Sequence, residues 1–355
     1  MTSPVSTPPP TRDRRPEPRF PIRLVALDID GTLLDHDLIL RDRTRAAVRS
    51  AVARGAVVVL ATGRMASSVR PLAEAIGLRG PLIAYQGALV RELPAPGEPG
   101  PGRLLHHDPL PTEVARAAVR WSYAQGLRPH LNHLERFIVP TDDPNAEDYS
   151  LFLGARAELV DDLEAAIEHP ITKVIAVAEE PLPEGILAAA REAFAGRAAP
   201  TISHPRFLEF VAPGVSKGRA VRWLARRLGI PLEQTLAIGD QHNDVEMLRA
   251  VGHGVAMAGA PPDVLAAARY LAPPVGEEGA AQILEALVVP SPAAAERNAR
   301  RFRIDVGRRA AVGRRAEVGL RAAVGMDEPR MCDDGRRRSE GERSESGAKA
   351  RREGA

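Results

Sequence analysis

Four short clusters of carboxylate, hydroxyl, amine and amide side chains stand where strands of a parallel sheet are expected to end. The first is Asp28-Ile29-Asp30-Gly31-Thr32-Leu33. Two acids one residue apart at a strand end can point into one crevice once the strand breaks. Asp28 can then attack phosphorus and form an aspartyl-phosphate. Asp30 can protonate the leaving oxygen and afterwards deprotonate the water that cleaves the intermediate. Acids this close also invite Mg²⁺, which takes oxygen ligands and keeps several of its waters. An ordinary Asp-Gly turn would use the same residues without any chemistry. The second cluster, Ala61-Thr62-Gly63-Arg64, offers a hydroxyl and an unobstructed backbone N–H to phosphoryl oxygens, although a bare strand-to-loop junction reads the same way. The third, Ser216-Lys217-Gly218, opens a helix, where an anion is favoured and a lysine adds a full positive charge. Lys173, Lys217 and Lys349 are the only lysines, so a lysine placed here is poorly explained as surface filler. The fourth is Gly239-Asp240-Gln241-His242-Asn243-Asp244. Asp240 sits at a strand end as a metal ligand should, Asp244 lies one turn further on the same side, and Asn243 can donate to a phosphate. An N-capped helix with acidic first-turn residues is the alternative.

The elements that must position these clusters alternate between strands and helices. Ile22 to Leu27 and Ala56 to Ala61 are short apolar runs that read as buried strands, and Pro81 to Tyr85 reads as a third. Helices are expected over Thr44 to Arg54, with Thr44 as N-cap, and over Ser67 to Ile76, closed by Gly77. The alternation implies an α/β core with right-handed crossovers and a parallel sheet. After Gly87 the rhythm changes. Arg91 to Arg103 reads as a Pro/Gly-rich linker, followed by helices near 111–125, 161–168 and 183–194. Strands at Arg136–Pro140, Ile171–Ala178 and Pro200–Ser203 interleave with them, as in an inserted α+β unit. The parallel pattern is expected to resume at Phe207–Val211. It continues through a helix from Ser216, strands at Thr235–Ile238 and Gly254–Ala258, a helix from His242 to Val251, and a last helix near Glu277–Leu287. The expected division is therefore a core of residues 21–88 and 206–289, an insert of 89–205, and disordered tails at 1–20 and 290–355.

Four weak signals in this order support one another, and together they resemble the haloacid dehalogenase superfamily of aspartyl-phosphate phosphatases, in particular its Cof-type, type IIB cap, sugar-phosphatase-like branch. The resemblance covers about residues 22 to 289. It extends to Tyr85-Gln86-Gly87-Ala88 before the insert and to Val215-Ser216-Lys217-Gly218. It implies a Rossmann-like core with an inserted type C2B cap, and a Mg²⁺-dependent phosphatase of small phosphorylated metabolites such as sugar phosphates or phosphorylated cofactors. Asp28 would be nucleophile and metal ligand, and Asp30 acid/base and a ligand through its carbonyl. Asp240 would complete the metal site with Asp244 in support. Ile29 (through its backbone), Thr62, Gly63, Lys217 and Asn243 would hold phosphate. Met257-Ala258-Gly259-Ala260 departs from the Met-Gly-Asn-Ala common in that branch, without touching these residues.

Composition narrows the alternatives. No apolar run approaches a membrane span, no secretory leader is evident, and the single Cys332 permits neither an internal disulfide nor a cysteine zinc site. A cytoplasmic enzyme is expected. The net charge of +2 conceals a basic excess after Ser291, within which Gly307, Gly313, Gly319 and Gly325 recur. Acidic residues are interspersed there and aromatic residues are scarce, so nucleic acid is not the expected partner. A phosphomutase on the same scaffold and a non-catalytic binder using the basic tail are the competing readings. His130, His133 and Arg136, around an expected hairpin, are candidate substrate contacts from the insert.

Overall fold

The computed structural model describes residues 15–304, apart from 36, 96 and 154. The first apolar run forms β1 (Leu24–Leu27), every residue of which is fully buried. A parallel strand covered on both faces requires such an unbroken apolar sequence. α1 (Asp42–Ala53) buries Thr44, Ala47, Val48 and Ala51, a stripe at spacings of three and four. Its N-cap is Arg41 and not the expected Thr44. Thr44 lies inside the first turn, where its N–H donates to Glu278 Oε2 at 3.1 Å, so a distant carboxylate takes the capping role. β2 (Val57–Leu60) pairs parallel with β1, Leu24 opposite Val57. α2 (Ala66–Ile76) ends at Gly77 in the left-handed conformation, as that glycine predicts.

β3 (Pro81–Ala84) touches the end of β2 through a parallel bridge between Ala61 and Ile83. It then folds back on β4 (Leu89–Glu92) and β5 (Leu104–His107) as an antiparallel sheet. The stretch expected to be a linker is thus largely a hairpin connection, held closed where Arg91 donates to the Gly102 carbonyl at 3.0 Å.

The insert contributes α3 (Thr112–Ala124), β6 (Arg128–His133), β7 (Arg136–Pro140), α4 (Ala146–Leu153), β8 (Ala157–Val160), β9 (Lys173–Val177), α5 (Ile186–Ala193), β10 (Ala199–His204) and β11 (Phe207–Val211). Its six strands run in the order β10-β11-β9-β6-β7-β8. Two expectations fail here. Residues 161–168 form turns and not a helix: Asp162 Oδ1 accepts from the N–H groups of Glu164 and Ala165, and Pro170 closes the segment downstream. Phe207–Val211 does not resume the parallel core but pairs antiparallel with β9 and β10. A strand's own sequence carries its pleat but not the direction of its partner. Alternation sends Leu208, Phe210, Val174 and Ala176 into a core with α3 and α5. Lys173, Ile175 and Glu209 consequently occupy the opposite face.

The chain returns through α6 (Lys217–Arg227), β12 (Thr235–Gly239), α7 (Val245–Ala250), β13 (His253–Met257), α8 (Pro262–Ala267), β14 (Tyr270–Ala272), α9 (Gly279–Leu287) and α10 (Pro292–Phe302). The main sheet is entirely parallel, in the order β14-β13-β12-β1-β2. Core-forming content extends beyond residue 289, where a tail was expected. α10 buries Ala295 and Ala299, Asn298 donates to the Ala286 carbonyl at 3.0 Å, and Arg303 bridges to Tyr270. Apolar spacing in an alanine-rich, arginine-rich helix is faint, which is why sequence reading passes over it. At the other end Arg19 donates to the Glu233 carbonyl at 2.8 Å. The rest of the expected tails, 1–14 and 305–355 with its recurrent glycines, lies outside the described residues. Among the described residues no helix is long and apolar enough to cross a membrane.

His253 opens β13 with no solvent exposure, and its Nε2 donates to the Arg19 carbonyl at 3.0 Å. Burial depresses its pKa to about 4, against 6.5 in an exposed chain. Above 6.5 both states are neutral. As pH falls from 6.5 toward 4 the unfolded chain takes up a proton that the folded chain refuses, so stability is lost across that window, by up to about 3 kcal/mol from this group. Urea unfolding between pH 7 and 4.5 should show a flatter dependence for His253→Gln than for wild type; equal slopes would remove His253 from the acid response.

Candidate active site

Parallel pairing of β1 with β12, Leu27 opposite Ile238, delivers the first and fourth clusters side by side at the carboxyl edge of the sheet. Asp28 leaves β1 and Asp240 leaves β12, and both are buried. Asp244 follows in a one-turn 3₁₀ helix (His242–Asp244). Single carboxylate oxygens of Asp28, Asp240 and Asp244 lie within 4.8 Å of one another. Into this group α6 directs Lys217, whose Nζ lies 2.5 Å from Asp28 Oδ1 and 2.8 Å from Asp244 Oδ1. Ser216 caps α6 by accepting from the Arg219 N–H at 3.0 Å, which fixes the helix start that carries the lysine. The approach of α6 to α7 also requires Gly218: a Cβ there would stand 2.6 Å from the Glu246 backbone.

Three carboxylates around one ammonium leave the site two negative charges in excess when all are ionised. The pKa values record the conflict. Asp28 is raised well above its ordinary value by burial and by the charge of Asp244, with Lys217 opposing. Asp240 is pushed up to about 6, by burial first and Asp244 next. Burial alone would lower Lys217, but the charges and hydrogen bonds of Asp244 and Asp28 outweigh it and hold the amine protonated. A divalent cation is the charge this donor set lacks, and an all-oxygen set suits Mg²⁺. The residues present therefore fit such an ion. Asp244 spends its two oxygens on Lys217 and on the backbone N–H groups of Asp240 and Gln241, at 3.0 and 3.1 Å, and so orders the loop. Thr32 donates to Asp240 Oδ1 at 3.0 Å.

Asp30 stands apart from that carboxylate group. Its side chain is half exposed and meets the Arg64 guanidinium, with Arg64 Nε 2.9 Å from Oδ2. The Ile29 side chain is buried in the core, leaving its backbone as the only part that can serve a ligand. Thr62 Oγ1 accepts from the Arg64 N–H at 3.0 Å, so its hydroxyl proton remains to be donated. A Cβ at Gly63 would stand 2.4 Å from Gln86 Nε2, so a side chain there would displace the Gln86 amide. Asn243 Nδ2 donates to Gln86 Oε1 at 3.0 Å. Asp28, Asp30, Thr62, Gly63 and Asn243 share one cavity of about 320 Å³, and Lys217 approaches it from behind Asp28.

The roof of the cavity is the polar face of the inserted sheet, which supplies Asn132, Lys173, Ser203 and Glu209. Sequence reading chose other residues from the insert. His130 is buried and bonded to Asp143 at 2.8 Å, Arg136 pairs with Glu158 on the surface, and His133 lies tilted beside His107; none of the three lines the cavity. Lys173 was within reach of the same argument that singled out Lys217, the rarity of lysine in this chain. Glu209 gave a weaker signal, a carboxylate within an otherwise apolar strand, whereas Asn132 lies in the polar run Arg128–His133 and gave none.

Fold and site together define an α/β enzyme with a parallel-sheet core, a carboxylate cluster at its carboxyl edge and an inserted cap. The profile of haloacid dehalogenase-like hydrolases matches residues 25–284. The chain belongs to that family, as an enzyme of its phosphatase kind. It is 32% identical over 249 residues to an HMP-PP phosphatase of Cronobacter sakazakii, covering 70% of this chain and 89% of the relative. A haloacid dehalogenase-like hydrolase structure from Bacteroides thetaiotaomicron superposes with a TM-score of 0.64 at 25% identity, over 75% of this chain and 99% of that one. A subclass IIB sugar phosphatase shares the fold, with a TM-score of 0.62 at 23% identity over 74% of this chain and 98% of that one.

Removing the one cation of the cluster should leave buried carboxylates facing each other. Lys217→Met is expected to cost roughly 3–5 kcal/mol in urea unfolding at pH 7 without divalent ions. A loss under about 1 kcal/mol would mean that the carboxylates relieve themselves by protonation.

Proposed function

We propose that the protein is a Mg²⁺-dependent phosphatase of small phosphorylated metabolites, sugar phosphates or phosphorylated cofactors, working through an aspartyl-phosphate on Asp28. The observation that carries the reading is the group of three buried carboxylates around Lys217 at the edge of a capped cavity. Family membership and the phosphatase names of the relatives support it.

In this reading the substrate phosphate enters against Thr62, Gly63, Lys217 and Asn243, with the Ile29 backbone alongside. Lys217 offsets the repulsion between the phosphate and Asp28. An Asp28 carboxylate oxygen forms a bond to phosphorus as the ester oxygen departs with its electron pair, and Asp30 turns from Arg64 to give that oxygen its proton. The Asp30 carboxylate then takes a proton from water as the water oxygen attacks phosphorus, the P–O bond to Asp28 breaks, and phosphate leaves. Asp28, Asp240 and the Asp30 carbonyl would hold Mg²⁺, with Asp244 steadying them. The ion would favour the ionised carboxylates and neutralise charge on the transferring phosphoryl group. The inserted sheet would exclude water and contact the leaving group.

Hydrolysis of p-nitrophenyl phosphate with Mg²⁺ should be abolished by EDTA and reduced at least a thousandfold in Asp28→Asn. Robust turnover by Asp28→Asn would sink the nucleophile assignment. Mg²⁺ should also raise the melting temperature of the wild type through preferential binding to the folded state. Asp240→Asn should abolish that rise; an equal rise in the variant would place the ion elsewhere.

A further inference from the structure

The cap and the two phosphate-facing core loops meet on one buried carboxylate. Glu209, in β11, is 2% exposed. Its Oε1 accepts from Lys173 Nζ at 2.9 Å and Ser203 Oγ at 2.7 Å, and its Oε2 from Gln86 Nε2 at 2.9 Å. Each of those donors except Ser203 reaches on into the core. Lys173 Nζ also donates to the Gly63 carbonyl at 3.0 Å, and Gln86 Oε1 accepts from Asn243 Nδ2 at 3.0 Å. The line Gly63–Lys173–Glu209–Gln86–Asn243 therefore starts and ends on residues of the second and fourth clusters and crosses the cap between them.

The junction is built at a conformational cost. Tyr85, Gln86 and Gly87 take positive φ in succession, at 52°, 59° and 98°. Non-glycine residues held there cost roughly 1 kcal/mol or more each and persist where surrounding contacts over-determine them. Gly87 is forced, since a Cβ would lie 2.3 Å from the Ser216 carbonyl oxygen. The excursion aims the buried Gln86 amide both ways at once, with its donor end on the cap carboxylate and its acceptor end on Asn243. One Asn243 N–H is thereby occupied, so the amide cannot rotate freely and its second N–H is left for the cavity. Asn243 Oδ1, buried, finds no partner among the described residues. Among the described residues Gln86 is the one hydrogen-bond partner of that side chain.

We infer that Glu209 and Gln86 are positioning residues that set Asn243, and through Lys173 the Gly63 loop, for phosphate only when the cap sheet is seated as it is here. The inference rests on the reading that Asn243 binds phosphate. Neither Glu209 nor Gln86 needs to touch the substrate. A carboxylate is required at 209 because it presents acceptors to three donors, whereas a glutamine would turn an amide N–H toward one of them.

The test is inhibition of p-nitrophenyl phosphate hydrolysis by inorganic phosphate, with melting temperatures measured alongside, in the full-length protein with Mg²⁺. Gln86→Met and, independently, Glu209→Gln should each raise the phosphate inhibition constant at least fivefold. Asn243→Ala should raise it as much or more, and the double variant Gln86→Met/Asn243→Ala should fall within twofold of Asn243→Ala alone, because both remove one function. Multiplied losses in the double variant, or an unchanged constant in Gln86→Met and Glu209→Gln beside a weakened Asn243→Ala, would overturn the relay while leaving the phosphate site intact. An unchanged constant in Asn243→Ala would instead overturn the phosphate assignment of Asn243, and the relay would lose its end point with it.

Discussion

A single buried ammonium among three buried carboxylates is the constraint around which the rest of this protein is arranged. Lys217 reaches two of the carboxylates and holds them at the carboxyl edge of the sheet, yet leaves the group short of positive charge. Buried charge is tolerated only when paired and hydrogen-bonded. Each neighbouring feature answers to that requirement: the Ser216 cap that fixes the lysine's helix, the two N–H groups on Asp244 Oδ2, and the Thr32 hydroxyl on Asp240. The charge that remains uncompensated is what a cation and an incoming phosphate would together rearrange. Perturbed carboxylates of this kind gather at functional sites, and that is the ground for reading the group as one.

Strand order explains why the carboxylates meet at all. Asp28 and Asp240 are separated by most of the chain, and adjacent pairing of β1 with β12 brings them together. Sequence reading could reach this far because parallel strands buried on both faces announce themselves as apolar runs, and because the clusters that follow them are short and local. All nine residues read as a site from sequence fall on or beside one cavity, though Asp30 is turned toward Arg64 and Ile29 offers only backbone. Their chemical roles follow from the proposed mechanism and not from placement alone.

Much of what sequence reading missed depended on partners that the local sequence does not name. Phe207–Val211 reads as a buried strand in either sheet, and only pairing with Lys173–Val177 assigns it to the cap. Thr44 looks like an N-cap until Glu278, from the far side of the sequence, takes its N–H. His130 resembles a binding residue until Asp143 is seen to satisfy it. The buried stripe of α10 is made of small residues, Ala295 and Ala299, and rests against α9. Lysine rarity was a usable signal for Lys173 because it does not depend on pairing.

Phe137, Val139 and Val211 of the insert belong to one buried apolar cluster with the core, yet over the cavity cap and core meet through buried polar groups, where apolar contact would have been the more stable choice. Replacing a buried ion pair by well-packed apolar residues is often neutral or favourable. Apolar contact, however, is non-directional and would let the cap sheet settle in several seatings of similar energy. The Lys173–Glu209 pair, satisfied by Ser203, Gln86 and the Gly63 carbonyl, favours one seating, because a shift that keeps water out strands a buried charge. In the proposed reading the inserted sheet encloses the substrate, which calls for a closed state that is well defined and an open state that is accessible. A polar latch meets both conditions: its groups lose little on opening, because water replaces their partners, and lose much in any closed arrangement but the right one.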